Sequence, residues 1–259
     1  MSSRIALFLC DTPIPAVRAE DGDYTDIFNA LLRKSRPDIQ YSLDPYDVRE
    51  KMEYPKDLDT YDAIILTGSA ASAYENLEWI NLLVAYIASV AEEKPHIKLI
   101  GICFGHQILA RALGGECVPN GGLWEVGPTT VDLSDVGQQL FGKPQINIQQ
   151  MHRDHVPEVP KSCHLLGSTS IAPNQGFIRF NDPSVQPSAD LNLRDIQIFT
   201  VQGHPEFTKR IVSTVVDARA ATGVIDKDTA ESARKRADWH NDGVDVIGRV
   251  IWKIISAKA

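Results

Sequence analysis

Apolar and polar positions along the N-terminal half fall into blocks of two kinds. Short runs that are apolar at successive positions, such as IALFLC (Ile5 to Cys10), suit strands covered on both faces of a sheet. Between them, apolar residues recur every three or four positions, as on a helix that packs one stripe against such a sheet. The first helix is predicted to start at Thr25, which can cap it, and to pass through Leu31 and Leu32 to about Arg36. YDAIILTGS predicts a strand from about Asp62 to Thr67, after which Gly68 and Ser69 turn the chain. From Trp79 to Glu93 the helical stripe is Ile80, Leu83, Val84 and Ile87. The stretch KLIGICFGHQILARALGG, Lys98 to Gly115, then reads as a buried strand, a turn of small residues around a cysteine, and a helix.

Beyond the turn signals at Gly121 and Gly122 the spacing tightens. TTVDL, INIQQM, HLLGS and FIRF all have strand character and predict a more antiparallel extension of the sheet. IQIFTVQ (Ile196 to Gln202) returns to the core, and helices close the chain from about Glu206. The last of these places Val244, Ile247, Ile251 and Ile254 on one stripe after a turn at Asn241, Asp242 and Gly243. The segment from Asn174 to Asp190, rich in Pro, Ser, Asn and Asp, is a candidate flexible loop. The expected fold is a three-layer α/β/α sandwich with a mostly parallel central sheet and an antiparallel extension, as one domain over residues 1–259.

Composition narrows the class. With 43% hydrophobic residues and no apolar run near the roughly 20 needed to span a membrane, no membrane segment is expected. A formal charge of -8 argues against nucleic acid as the main partner, and the one basic cluster, Arg234 to Arg236, lies in a helical pattern as a solvated face. The N-terminus MSSRIALFLCDTPIP lacks a cleavage signature and reads as a first strand. Cys10, Cys103, Cys117 and Cys163 are widely spaced without a CxxC pair, so neither a disulfide framework nor a zinc ribbon is expected, and a reduced, cytoplasmic setting fits.

The cysteine turn carries the chemistry. In GICFGH, Gly101 and Gly105 flank Cys103 at two residues on each side, the spacing of a strained strand-to-helix turn that projects a nucleophile. The positive end of the following helix favours thiolate, and the next amide, that of Phe104, points to where an oxyanion would develop. Taken alone, a free cysteine in such a turn is as readily a buried small hydrophobe. The balance changes at QGHPEF, where His204 and Glu206 follow a core strand 101 residues beyond the cysteine. A histidine can take the thiol proton and return it to a leaving nitrogen, an adjacent acid can orient it, and Pro205 stiffens the loop that holds both.

GICFGHQILARALGG and QGHPEF resemble the two hallmark segments of the class I glutamine amidotransferase-like family. The resemblance runs in order from the TGS turn to GHPE, fades after about residue 210, and is nearest the free-standing, γ-glutamyl peptidase-like branch. It implies a flavodoxin-like sandwich with Cys103 as nucleophile, His204 as base and Glu206 as orienting acid. It also implies that Gly68 supplies a second oxyanion amide beside Phe104, although Ser69 departs from the double glycine common in synthetase-linked members. Gln107 would help hold the γ-glutamyl portion, against the alternative of an exposed helix glutamine. His152, Arg153 and Asp154, in QMHRDHV, would lie near the substrate's α-amino and α-carboxylate groups. His152 and His155 also invite a zinc reading, but no third ligand is evident. Trp124, Glu125 and Val126 match a region near the pocket in relatives, and simple packing by Trp124 is equally consistent.

The implied activity is hydrolysis of a γ-glutamyl amide or peptide bond through a γ-glutamyl thioester, on glutamine, glutathione or a conjugate, without cofactor or metal. A glutaminase subunit that delivers ammonia to a separate synthetase partner is the alternative, since no P-loop is present to activate an acceptor. A catalytically idle binding or regulatory member of the family is a third reading, which the intact triad disfavours.

Overall fold

The computed structural model describes residues 2–187 and 191–257. β1 (Ser3–Leu9) leads into α1 (Pro15–Asp21) and α2 (Tyr24–Ser35), followed by β2 (Tyr41–Asp47), β3 (Ala63–Leu66), α3 (Glu78–Glu93), β4 (Lys98–Ile102) and α4 (Phe104–Ala112). Further strands come next: β5 (Val118–Pro119), β6 (Glu125–Leu133), β7 (Gln145–His152), β8 (Asp154–His155), β9 (His164–Leu165), β10 (Gly167–Ser168) and β11 (Phe177–Phe180), with α5 (Asp135–Phe141) between β6 and β7. β12 (Ile196–Val201) precedes α6 (Lys209–Ala221), α7 (Lys227–Lys235), a π-helical turn at Gly243–Gly248 and α8 (Arg249–Ser256). The main sheet has the order β2-β1-β3-β4-β12-β11-β9, parallel as far as β12 and antiparallel beyond it.

Alternation along each strand sets the layers. Ile5 and Leu7 of β1, Ile65 of β3 and Ile100 and Ile102 of β4 face one side, where Phe28 and Leu32 of α2 and Ile251, Trp252 and Ile255 of α8 cover them. Ala6, Phe8, Ile64, Leu66 and Leu99 face the other, beneath Ile80, Leu83 and Ile87 of α3 and Ile108 and Leu109 of α4. Trp252 is fully buried and its Nε1 donates to the Leu32 carbonyl at 2.9 Å, which ties the last helix to α2. The expected three-layer α/β sandwich is therefore present.

Several details differ from the sequence expectation. The cap of α2 is Asp23, not Thr25: its carboxylate accepts the Thr25 and Asp26 amides at 2.7 and 3.2 Å, and Asp26 accepts the Asp23 amide in return. An acid that satisfies two orphan amides displaces a threonine that would satisfy one. β2 had no clear strand pattern, because it is a half-exposed edge strand that tolerates Pro45. The antiparallel extension consists of β11 and β9, whereas TTVDL and INIQQM belong to β6 and β7, which form a separate sheet with β10. That sheet sends Val131, Ile146 and Ile148 into the main core and Val126 and Met151 against α6 and α7. The supposed loop from Asn174 to Asp190 contains β11 and begins with buried Asn174 and Gln175, while residues 188–190 lie outside the described residues.

The turn from β4 into α4 places Cys103 at φ 51° and ψ −103°, a conformation an L-residue holds only when its surroundings impose it. Its amide donates to the Val201 carbonyl at 2.9 Å and its carbonyl accepts the Gln107 amide at 3.2 Å. The flanking glycines provide space. A Cβ on Gly101 would sit 2.6 Å from the Gly105 carbonyl oxygen, and one on Gly105 would sit 2.6 Å from the Leu66 carbonyl oxygen. Gly105→Ala should therefore push α4 off β3 and lower the unfolding free energy by about 1–3 kcal/mol, read from urea titrations against wild type.

Candidate active site

β3, β4 and β12 are neighbours in the sheet and run parallel, so the loops leaving their C-terminal ends emerge side by side, where parallel sheets bind ligands. These loops are Thr67 to Ala71, the Cys103 turn, and Gln202 to Glu206. The His204 amide donates to the Gln149 carbonyl of β7 at 2.8 Å, which pins the third loop to the second sheet. His204 Nδ1 lies 2.8 Å from Glu206 Oε1, and the ring stacks on Phe207 with centroids 4.0 Å apart and planes 7° from parallel. That leaves Nε2 unused by Glu206, with Cys103 close enough for its charge to act on the imidazole. Burial disfavours a charged imidazole here. The negative charges of Cys103 and Glu206 outweigh it and raise His204 well above the ordinary imidazole range.

Gly68 closes against this group, since a Cβ there would meet His204 Cε1 at 2.8 Å and Cys103 Cβ at 3.7 Å. Its loop is held from behind by Asp11, whose carboxylate accepts the Ala70 amide at 2.6 Å and the Ser69 hydroxyl at 3.3 Å and is paired with Arg49. Ser69 thus has a local task, because its oxygen also accepts the Ala71 amide at 3.1 Å. Phe104 opens α4 and stacks on Trp79, with ring centroids 5.3 Å apart.

The cleft beside Cys103 is lined by Ser69, Gln107, Trp124, Arg153, Asp154 and Arg219. Gln107 is buried, not exposed, and donates to the Asp154 carbonyl at 3.1 Å and to Gln202 Oε1 at 3.2 Å. Asp154 is buried with Oδ2 accepting the Ser72 hydroxyl at 2.6 Å, whereas Oδ1 has no hydrogen-bond partner among the described residues. His152 spans 3.0 Å from Nδ1 to the Asp154 carbonyl and 3.0 Å from Nε2 to Glu125 Oε2. Burial would raise the Glu125 carboxyl, but contacts from His152, Thr169 and Gln175 hold it below the ordinary glutamate range. Arg153 is exposed and lies 5.7 Å from the Trp124 ring centre. His155 is engaged neither with His152 nor with a third ligand, and among the described residues no three His, Cys, Asp or Glu side chains group to hold a metal.

Some site residues went unread in the sequence. Gln202 donates to the Cys103 sulfur at 3.6 Å, and its place beside GHPEF was the available clue. Gln175 donates to Glu125 at 2.6 Å and accepts from Gln150 at 2.7 Å, a buried relay that no linear motif marks. Arg219 reaches the cleft from α6, where the family resemblance has faded. The other thiols are set apart: burial pushes Cys10 and Cys163 up to about 12 and raises Cys117 as well.

Comparison with known proteins follows the same lines. The model of the class I glutamine amidotransferase family matches residues 23–216. A glutamine amidotransferase-like protein of Schizosaccharomyces pombe is 36% identical over 247 residues, covering 92% of this chain and 93% of that protein. Gamma-glutamyl peptidase 4 of Arabidopsis thaliana is 27% identical over 238 residues, covering 88% and 85%. In fold, a glutamine amidotransferase from Thermotoga maritima superposes with a TM-score of 0.69 at 18% identity, over 98% of this chain and 99% of that one.

The raised His204 can be read directly. In histidine-ring NMR its imidazole should stay charged well above pH 6.5, and Glu206→Gln, which removes one of the two charges responsible, should move its titration to lower pH. A proton held more tightly in the fold than in the unfolded chain adds stability in full below about pH 6.5, and that stability is lost as the pH rises through the folded value. An unchanged midpoint in the variant would mean that Glu206 does not hold the charge.

Proposed function

Because the chain belongs to the class I glutamine amidotransferase family, we propose that it hydrolyses a γ-glutamyl amide or peptide bond through a thioester on Cys103. The observation that carries this reading is the buried group of Cys103, His204 and Glu206 at the ends of the adjoining strands β4 and β12. The Cys103 thiolate attacks the γ-carbonyl carbon, and the amides of Phe104 and Gly68 receive the developing oxyanion. As the tetrahedral intermediate collapses, the C–N bond breaks and the His204 imidazolium gives its proton to the departing nitrogen. His204, now neutral, takes a proton from water, whose oxygen attacks the thioester and releases glutamate and the thiol. Glu206 keeps the ring oriented through both steps.

The γ-glutamyl half has a matching cradle. Asp154 Oδ1, buried and without a hydrogen-bond partner among the described residues, suits the α-ammonium group. The exposed Arg153 suits the α-carboxylate. Gln107 and His152 act one step back: both contact the Asp154 carbonyl and fix that residue toward the cleft. The similarity to a γ-glutamyl peptidase over most of the chain supports a peptide-type substrate, such as glutathione or a conjugate, over glutamine alone.

The test is glutamate release by the purified chain with glutamine and glutathione supplied side by side. Cys103→Ala should lower release by roughly 10⁴-fold or more while the far-UV circular dichroism stays native, and Cys10→Ala should leave it unchanged. Equal activity in Cys103→Ala would remove the mechanism. Preference for glutamine would instead direct attention to a synthetase partner.

A further inference from the structure

Beside the cleft at Cys103, and sharing part of its wall, lies a second lobe of about 70 Å³. Both lobes share Ser69, Ala70, Met151 and Arg219, but Cys103, Gln107 and Asp154 line the first, whereas His204 and Phe207 line the second. The remaining wall of the second lobe is mainly apolar, with Ile14 and Val17 at α1, Ile27 of α2, and Ile211 and Val215 of α6. Arg219 stands at the junction with its guanidinium 5.2 Å from the Trp124 ring centre, and no carboxylate among the described residues forms an ion pair with it. Asp11, on the same wall, is already paired with Arg49.

The position of the proton donor decides what this lobe holds. The scissile nitrogen must lie within reach of His204, so whatever is attached to it extends beyond the imidazole, away from Asp154. We infer that the second lobe is the leaving-group subsite and takes an apolar α-amino acid, its carboxylate bound by Arg219 and its side chain packed among Val17, Ile211 and Val215. This rests on the proposed hydrolysis and narrows its substrate class from glutathione-like peptides, whose second residue carries no free carboxylate, to γ-glutamyl dipeptides with an apolar second residue. Ammonia, the leaving group of glutamine, would leave both the cation and the apolar wall unused. The bond changes are those of the hydrolysis, with the amino acid departing as the free amine after it takes the His204 proton. Burial lowers the Arg219 guanidinium from its ordinary value, as expected of a cation that a bound carboxylate would relieve.

The experiment compares γ-glutamyl-leucine, γ-glutamyl-leucinamide and glutamine by kcat/KM for glutamate release. Wild type should prefer the acid to its amide, and to glutamine, by about tenfold or more, as for a charge-assisted contact. In Arg219→Met the acid-to-amide ratio should fall to near one, and Arg219→Lys should recover part of it. A wild-type ratio near one, or a ratio that survives Arg219→Met while all rates fall together, overturns the inference and leaves the hydrolysis standing. No release from any of the three by the folded wild-type chain overturns both.

Discussion

At the ends of β3 and β4 the backbones of β3, β4 and α4 pass closer together than any side chain would permit, and the geometry of the candidate site follows from that contact. Gly101 and Gly105 let α4 settle onto β3 and β4, which bends the chain at Cys103 into a strained conformation and turns its sulfur out of the sheet. Gly68 leaves the one gap that the His204 ring occupies. A methyl group at any of these positions would displace backbone or imidazole, so the glycines act through the volume they leave empty.

Electrostatics then works within that frame. A buried imidazolium is unfavourable by itself, yet His204 lies between two negative groups and stacks on Phe207, so its charge is balanced locally. Around it a set of buried side chains is linked: Gln202 to the sulfur and Gln107, Gln175 to Glu125, and His152 between Glu125 and the Asp154 carbonyl. Such a network resists rearrangement, because breaking one contact strands a polar group without water. Asp154 Oδ1, without a hydrogen-bond partner among the described residues, and the Arg219 guanidinium, without an ion pair among them, are of opposite sign, and both residues line the cleft. A zwitterionic or doubly charged ligand fits that pairing.

The parallel core was legible because continuous apolar runs and helical stripes report burial on both faces, and β1, β3, β4 and β12 with α3 all lie where the pattern puts them. The Cys103, His204 and Glu206 constellation was legible because each member sits at a strand end marked by glycine or proline. The second sheet was not, because alternation tells which face of a strand is buried without naming its partner; TTVDL and INIQQM satisfy the pattern equally well in either sheet. Gln175 and Arg219 were invisible for another reason. Arg219 reaches the cleft, and Gln175 the Glu125 carboxylate behind it, from positions distant in sequence, so each contact exists only in the folded chain.

That division of labour bears on how the cleft acquires selectivity. The sandwich is shared at 18% identity, and by itself it says little about what leaves. The second lobe is built instead from α1, α2 and α6, whose apolar faces meet Val126 and Met151 of the second sheet in a core of their own. His204 belongs to both regions: its backbone bridges to β7 of the second sheet and its side chain serves the relay. Substitutions at Ile211 or Val215 of α6 would act on the wall of the second lobe, which Cys103 does not line, whereas Arg219 of the same helix borders both lobes.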